Sequence, residues 1–360
     1  MSRIPVAVVG ATGLAGQEFL AALGAHPFFQ VTKVAASSRS AGKKMRDAVK
    51  DDKGASKWFC SDPLPDEYAD LVVEDSANLT SDGVRLVFSA VEADVAREIE
   101  PRMAANIPVI STASAFRYEP DVPVFLPGVN WDHASLIDVQ RKKRGWKGFI
   151  TPGPNCTTVG LAMTLRPLDV AFGVEKVIMT SMQAMSGAGR SPGVIGMDIL
   201  DNIIPYIPKE EEKVESETQK ILGKVGADGV VPAQISVSCT CTRVNVLEGH
   251  TESVFVQLKK QARLEDVKAV WREFGAELAP LGLPSAPKHL IKVHEDPFRP
   301  QVRLDRNEEN GMTTVVGRLR EDKVFANGLK YLLVSHNTRM GAAKGAILVG
   351  EYLHKRGQIV

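Results

Sequence analysis

The chain has 360 residues, 44% hydrophobic and 24% charged, which fits a folded protein of about two domains and argues against disorder. Its 44 Lys+Arg against 43 Asp+Glu leave a net charge of +1, so there is no basic excess to hold a nucleic-acid backbone. Four cysteines, none in a C-x-x-C pair, exclude a disulfide scaffold and speak against a zinc ribbon, and no metal is expected.

The first apolar run covers residues 4–9 and closes at Gly10, too short for a secretory signal core. No window approaches the ~20 apolar residues of a membrane span. A cytoplasmic protein with free thiols, no membrane and no nucleic-acid partner is expected. The sequons at Asn78 and Asn155 then read as chance matches.

Residues 4–9 read as a buried strand and 14–23 as a helix, with Phe19, Leu20 and Leu23 on one stripe. Residues 31–36 are a second strand, and 39–67 are polar and irregular. Short strands are expected at 70–73, 85–88 and 108–110, with a helix over 92–106. This alternation predicts an α/β fold whose N-terminal part is Rossmann-like, with helices on both faces of a parallel sheet.

The pattern changes near residue 150. Residues 174–185, 231–247 and 251–258 are β-rich, and Leu247-Glu248-Gly249-His250 looks like a hairpin connection, which predicts a mostly antiparallel second sheet. Helices are expected at 157–172, 209–222 and 264–278, and further strands at 312–318 and 325–334. A closing helix over 338–356 carries Gly341, Ala342, Gly345 and Ala346, small residues that allow close packing. Residues 1–154, completed by 337–360, read as one domain and 155–336 as the other.

Gly10-Ala11-Thr12-Gly13-Leu14-Ala15-Gly16 follows the first strand and opens the first helix. Strand, tight turn and helix start aimed at a pyrophosphate are the dinucleotide fingerprint, here in a G-x-x-G-x-x-G variant. Such glycines also occur in purely structural turns. The second strand ends in Ser37-Ser38-Arg39-Ser40, where an NAD enzyme usually carries an acid. Hydroxyls and a planar guanidinium suit a 2′-phosphate, so the expected cofactor is NADP. Lys43 and Lys44 read equally well as a solvated loop.

Gly153-Pro154-Asn155-Cys156-Thr157-Thr158 precedes an apolar-periodic run, which puts Cys156 at a helix start. The helix dipole there favours a thiolate, the species that attacks a carbonyl. Cys60, Cys239 and Cys241 read as small buried residues. Cys239 and Cys241 share a strand face with no further ligand nearby.

PGPNC, with SGAG at 186–189 and Arg-x6-His from Arg243 to His250, resembles the aspartate-semialdehyde dehydrogenase family, in the branch found in fungi and archaea. SSRSAGK, SAFR, QAMSGAG, EEEK and SHNTRMGAAKG occur in family order and extend the resemblance over nearly the whole chain. The resemblance implies NADPH-dependent conversion of β-aspartyl phosphate to aspartate β-semialdehyde and phosphate, and a dimer or tetramer built through the second domain. It implies Cys156 as nucleophile, His250 as acid/base and Gln183 beside them. Asn155, Arg117, Glu210, Lys213 and Arg243 would hold substrate: Arg243 its α-carboxylate, Glu210 its ammonium, Arg117 and Lys213 its phosphate. Ser89, Ser186, Gly187, Asn337 and Thr338 join the glycine turn and residues 37–40 on the cofactor. Asn337-Thr338 also reads as a cap for the closing helix, and Glu210 to Lys213 as a solvated first turn. Arg190-Ser191 depart from the aromatic expected after SGAG. Competing readings are a related acyl-phosphate or acyl-CoA reductase on the same scaffold, and a non-catalytic NADP-binding sensor with an inert Cys156.

Overall fold

Six short apolar runs pair in parallel to form the first sheet of the computed structural model, which describes residues 3–188 and 196–359. They are β1 (Ile4–Val9), β2 (Phe29–Ala36), β3 (Val73–Asp75), β4 (Leu86–Ser89), β5 (Val109–Ser111) and β6 (Ile150–Pro152), ordered β3-β2-β1-β4-β5-β6. Strand alternation gives β1 two buried faces: Val6 and Val8 join one hydrophobic cluster, Ala7 and Val9 the other. The intervening helices are α1 (Leu14–Leu23), α2 (Met45–Ala48), α3 (Asp66–Ala69), α4 (Ala93–Ala104) and α5 (Leu136–Arg144). Strand order reverses between β1 and β4, and at such a point a parallel sheet opens a crevice beyond its carboxyl ends.

The chain then enters α6 (Cys156–Phe172) and a second sheet of β7 (Val174–Gln183), β10 (Ser236–Arg243), β11 (His250–Leu258), β12 (Ile291–Val293), β13 (Thr314–Glu321) and β14 (Gly328–Ser335). A separate ribbon pairs β8 (Lys224–Val225) with β9 (Val230–Val231). The remaining helices are α7 (Gly196–Ile199), α8 (Glu210–Ile221), α9 (Leu264–Glu273), α10 (Val302–Asp305) and α11 (Ala343–Lys355). α6 packs against α8, α9 and β11, while α11 returns to the first sheet. There Gly350 leaves room for Phe88, Phe29 and Ile110.

The second sheet runs β10-β7-β11-β14-β13-β12 and is mixed: β10/β7 and β12/β13 are parallel, the other three pairings antiparallel. The expected hairpin at 247–250 is therefore not formed. β7 lies between β10 and β11, and residues 244–249 cross over its end. The expected strand over 231–247 is also split, since Pro232 has no amide hydrogen to give a ladder. The closing helix starts at Ala343 rather than 338, so Asn337 and Thr338 do not cap it. No described helix is long and apolar enough to cross a membrane.

Candidate active site

A cleft of about 800 Å³ is lined by the chain segments that leave β1, β4, β5, β6, β7, β10 and β14. Its first wall is the glycine turn. Gly10 holds φ +82°, and a Cβ there would strike the Ala90 carbonyl; at Gly16 it would overlap the Gly10 carbonyl oxygen. Only glycine lets α1 start this close to β1. Gly13 brings no side-chain cap to α1, so the first-turn amides at Leu14 and Ala15 face the cleft unspent. That is the donor set a pyrophosphate needs. Ser37, Ser38 and Arg39 stand exposed just past β2, with no acidic residue among them. These residues fit NADP. Ser89 is buried behind the wall that Ala90, Val91, Glu92 and Ala93 form.

Asn155 explains the position of the thiol. Its Oδ1 accepts from the amides of Thr157 (2.9 Å) and Thr158 (3.3 Å), capping α6 so that Cys156 is the first helical residue. The Cys156 Sγ lies 3.2 Å from Nε2 of His250, the first residue of β11. On the ring's other side Nδ1 accepts from the Ala184 amide at 3.1 Å. The helix start does not win the thiolate that the sequence suggests. Burial, reinforced by Glu210, pushes the thiol up to about 12 against the pull of Arg243 and Arg117. Burial, then Arg243 and His336, push His250 down to about 3, with the Gly249 carbonyl pulling the other way. The resting pair is neutral.

Arg243 ends β10 in register with Gln183 at the end of β7. Its guanidinium is buried, gives one bond to the Ala184 carbonyl at 2.7 Å and has no carboxylate partner among the described residues. A buried cation with spare donors is a carboxylate receptor. Gln183 is buried, bonded to Ser181 Oγ at 3.1 Å, and does not reach the cleft wall.

α8 supplies the opposite wall. Glu210 accepts from Asn155 Nδ2 at 2.8 Å and pairs with Lys213 at 3.4 Å, so this turn is built into the site rather than merely solvated. Arg117 is buried, paired to Glu217 at 3.1 Å and bonded to the Thr112 carbonyl at 2.9 Å, with Nε unpartnered among the described residues. Asn337 closes the site: Oδ1 accepts from the Gly249 amide at 2.8 Å and Nδ2 donates to Ser186 Oγ at 2.8 Å. Gly187 lets the chain pass close to Arg243: a Cβ there would sit 2.9 Å from Nη1 and press on the guanidinium. Arg190 and Ser191 lie outside the described residues, as does Gly189.

Sequence reasoning missed Glu217, whose only signal is its seven-residue spacing from Glu210 on one helix face. It also missed Glu252, two residues after His250 on β11. Both carboxyl oxygens of Glu252 are buried with no hydrogen-bond partner among the described residues, against Gly160 of α6.

A Rossmann-like sheet facing a half-buried cysteine and a buried histidine across one cleft defines a dinucleotide-dependent dehydrogenase. Family models for the NAD-binding domain and the dimerisation domain of semialdehyde dehydrogenases match residues 5–137 and 165–340. An aspartate-semialdehyde dehydrogenase from Methanothermobacter thermautotrophicus is 44% identical over 98% of this chain and 99% of its own length. The crystal structure of aspartate semialdehyde dehydrogenase with NADP from Candida albicans superposes with TM-score 0.86 at 40% identity, covering 99% of this chain and 100% of that one. A Vibrio cholerae aspartate semialdehyde dehydrogenase II complexed with ASA gives 0.76 at 25% identity over 99% of each chain. The chain belongs to the aspartate-semialdehyde dehydrogenase family.

Proposed function

We propose that this chain carries out NADP-dependent reductive dephosphorylation of β-aspartyl phosphate to aspartate β-semialdehyde, the step that feeds lysine, threonine and methionine synthesis. The observation that carries the reading is the 3.2 Å contact of Cys156 Sγ with His250 Nε2, at the start of a capped helix between two arginines. Residues 1–154 with 337–360 form the cofactor domain in this reading, and 155–336 the catalytic and dimerisation domain. The protein works as a cytoplasmic homodimer or homotetramer.

Arg243 takes the substrate α-carboxylate and Glu210 its ammonium, while Arg117 and Lys213 take the phosphate. Asn155 and Gln183 keep the nucleophile's surroundings in place. Cys156 sulfur attacks the acyl carbon, the carbon–oxygen bond to phosphate breaks, and the thiol proton leaves with the phosphate. Bound NADPH supplies the hydride that reduces the resulting thioester. Gly10, Thr12, Gly13, Leu14, Ala15 and Gly16 hold its pyrophosphate, residues 37–40 its 2′-phosphate, and Ser186, Gly187, Asn337 and Thr338 its far end. Ser89 stands behind that pocket. As the C–S bond breaks, His250 returns a proton to sulfur from Nε2 and is resupplied from solvent. Its Nδ1 goes on accepting from the Ala184 amide, which fixes the ring with Nε2 toward sulfur.

The experiment is Cys156→Ser. It is expected to bind NADP as the wild type does and to lose nearly all NADPH formation from aspartate semialdehyde, NADP and phosphate. The serine proton is not lost near neutral pH. Turnover near the wild-type rate ends the thioester mechanism, and no turnover by the wild type itself favours the sensor reading.

A further inference from the structure

We propose that Glu217 is a positioning residue that fixes the guanidinium of Arg117 relative to the start of the Cys156 helix. The proposal rests on the functional reading above, in which Arg117 holds the substrate phosphate.

Glu217 is 1% exposed and lies two turns along α8 from Glu210. Its Oε1 accepts from Arg117 Nη1 at 3.1 Å and from Tyr118 Oη at 3.3 Å. Its Oε2 accepts from the Asn155 amide at 2.6 Å. One rigid carboxylate thus joins the arginine to the residue immediately before Cys156. Lys220, one turn further on, binds the carbonyls of Arg117 and Glu119 at 2.7 Å each, so the loop after β5 hangs from a single face of α8.

The arrangement leaves Arg117 useful to a ligand. Nη1 is spent on Glu217 and Nη2 on the Thr112 carbonyl, while Nε is buried without a partner among the described residues. A guanidinium has five N–H donors in a fixed fork, so anchoring it on one side aims the remaining donors. With the sulfur end of α6 on the other oxygen, the distance between anion grip and nucleophile is set by the width of one carboxylate. Misplacement by about 1 Å costs a reaction of this kind on the order of 10²-fold.

Glutamine keeps the shape but not the function. Donors face both oxygens of Glu217, and an amide can accept on one side only. Either Arg117 or the Asn155 amide then meets an NH₂ group. Loss of a charged hydrogen bond corresponds to about 10–100-fold in an equilibrium constant.

The test uses the full-length enzyme in the phosphorylating direction, with aspartate semialdehyde, NADP and inorganic phosphate. Glu217→Gln is expected to raise KM for phosphate tenfold or more and to leave KM for NADP within twofold. Arg117→Gln and the double variant Arg117→Gln/Glu217→Gln complete the cycle. If Glu217 acts through Arg117, the double variant has the phosphate KM of Arg117→Gln. It also regains thermal stability that Arg117→Gln alone loses, because no buried carboxylate is left unpaired. Should Glu217→Gln fail to fold, the double variant against Arg117→Gln decides the question. A wild-type phosphate KM in Glu217→Gln, or losses that multiply in the double variant, overturns the proposal. A wild type inactive with semialdehyde and phosphate overturns the functional reading first, and this proposal with it.

Discussion

The Cys156 thiol and the His250 imidazole stand 3.2 Å apart, and burial holds both in their uncharged forms before any ligand arrives. The thiol is pushed up to about 12, so each step up in pH below that value raises the thiolate fraction about tenfold. Alkylation of the ligand-free protein by iodoacetamide is therefore expected to be slow at pH 7 and to climb without a plateau to pH 9. Labelling of Cys156 read by mass spectrometry checks this. A rate that is already flat below pH 7 would show a resting thiolate–imidazolium pair.

Arg243→Lys separates a fork from a point charge. Lysine keeps the charge and loses the two parallel bonds a carboxylate accepts. kcat/KM for aspartate semialdehyde is expected to fall on the order of 10²-fold, with KM for NADP unchanged. A solvent-facing strand residue would tolerate the change within a factor of about two. If lysine behaves like the wild type, Arg243 does not hold the substrate.

Arg39 is exposed past the end of β2, where only the 2′-phosphate distinguishes NADP from NAD. Arg39→Ala is expected to raise KM for NADP about 10–100-fold and to leave KM for NAD nearly unchanged. Parallel losses for both cofactors would give the arginine a structural role instead.

Glu252 gives a pH effect of definite sign. Its carboxyl is held protonated well above the ordinary range by burial alone, whereas the unfolded chain ionises it near its ordinary value. The native state therefore binds the extra proton, and the contribution to stability is complete below the unfolded value and is lost as pH rises toward the folded one. Glu252→Gln removes the proton linkage. Its stability relative to the wild type is expected to improve steadily as pH rises from 5 to 8, measured by urea unfolding at each pH. A difference that stays flat across that range would mean that Glu252 is ionised in the native protein.

Local chemistry made some of the site readable from sequence, and distance hid the rest. The cap at Asn155 is a contact over two and three residues, so the pattern before α6 announces where Cys156 must lie. Asn337 carries the same local signal, but its side chain is taken by Gly249 and Ser186, 88 and 151 residues away in sequence. The contact from Glu217 to the Asn155 amide spans 62 residues and joins two helices that no periodicity relates. The turn residues at 247–250 do mark a turn, with Gly249 at φ +89°. What local patterning cannot register is that β7, laid down some 50 residues earlier, already occupies the place beside β11 that a hairpin would give to β10.

That insertion of β7 separates two tasks along the chain. Arg243 is fixed by pairing with Gln183, and His250 by pairing with Ser335, so neither depends on how many residues join them. In a hairpin every added or deleted residue would slip one against the other. Here the connection over 244–249 instead carries the Met185 and Ser186 amides on the carbonyls of Val246 and Leu247. A change in this crossover therefore acts first on the wall beside Ser186, while the strand pairings still set where the arginine and the histidine stand.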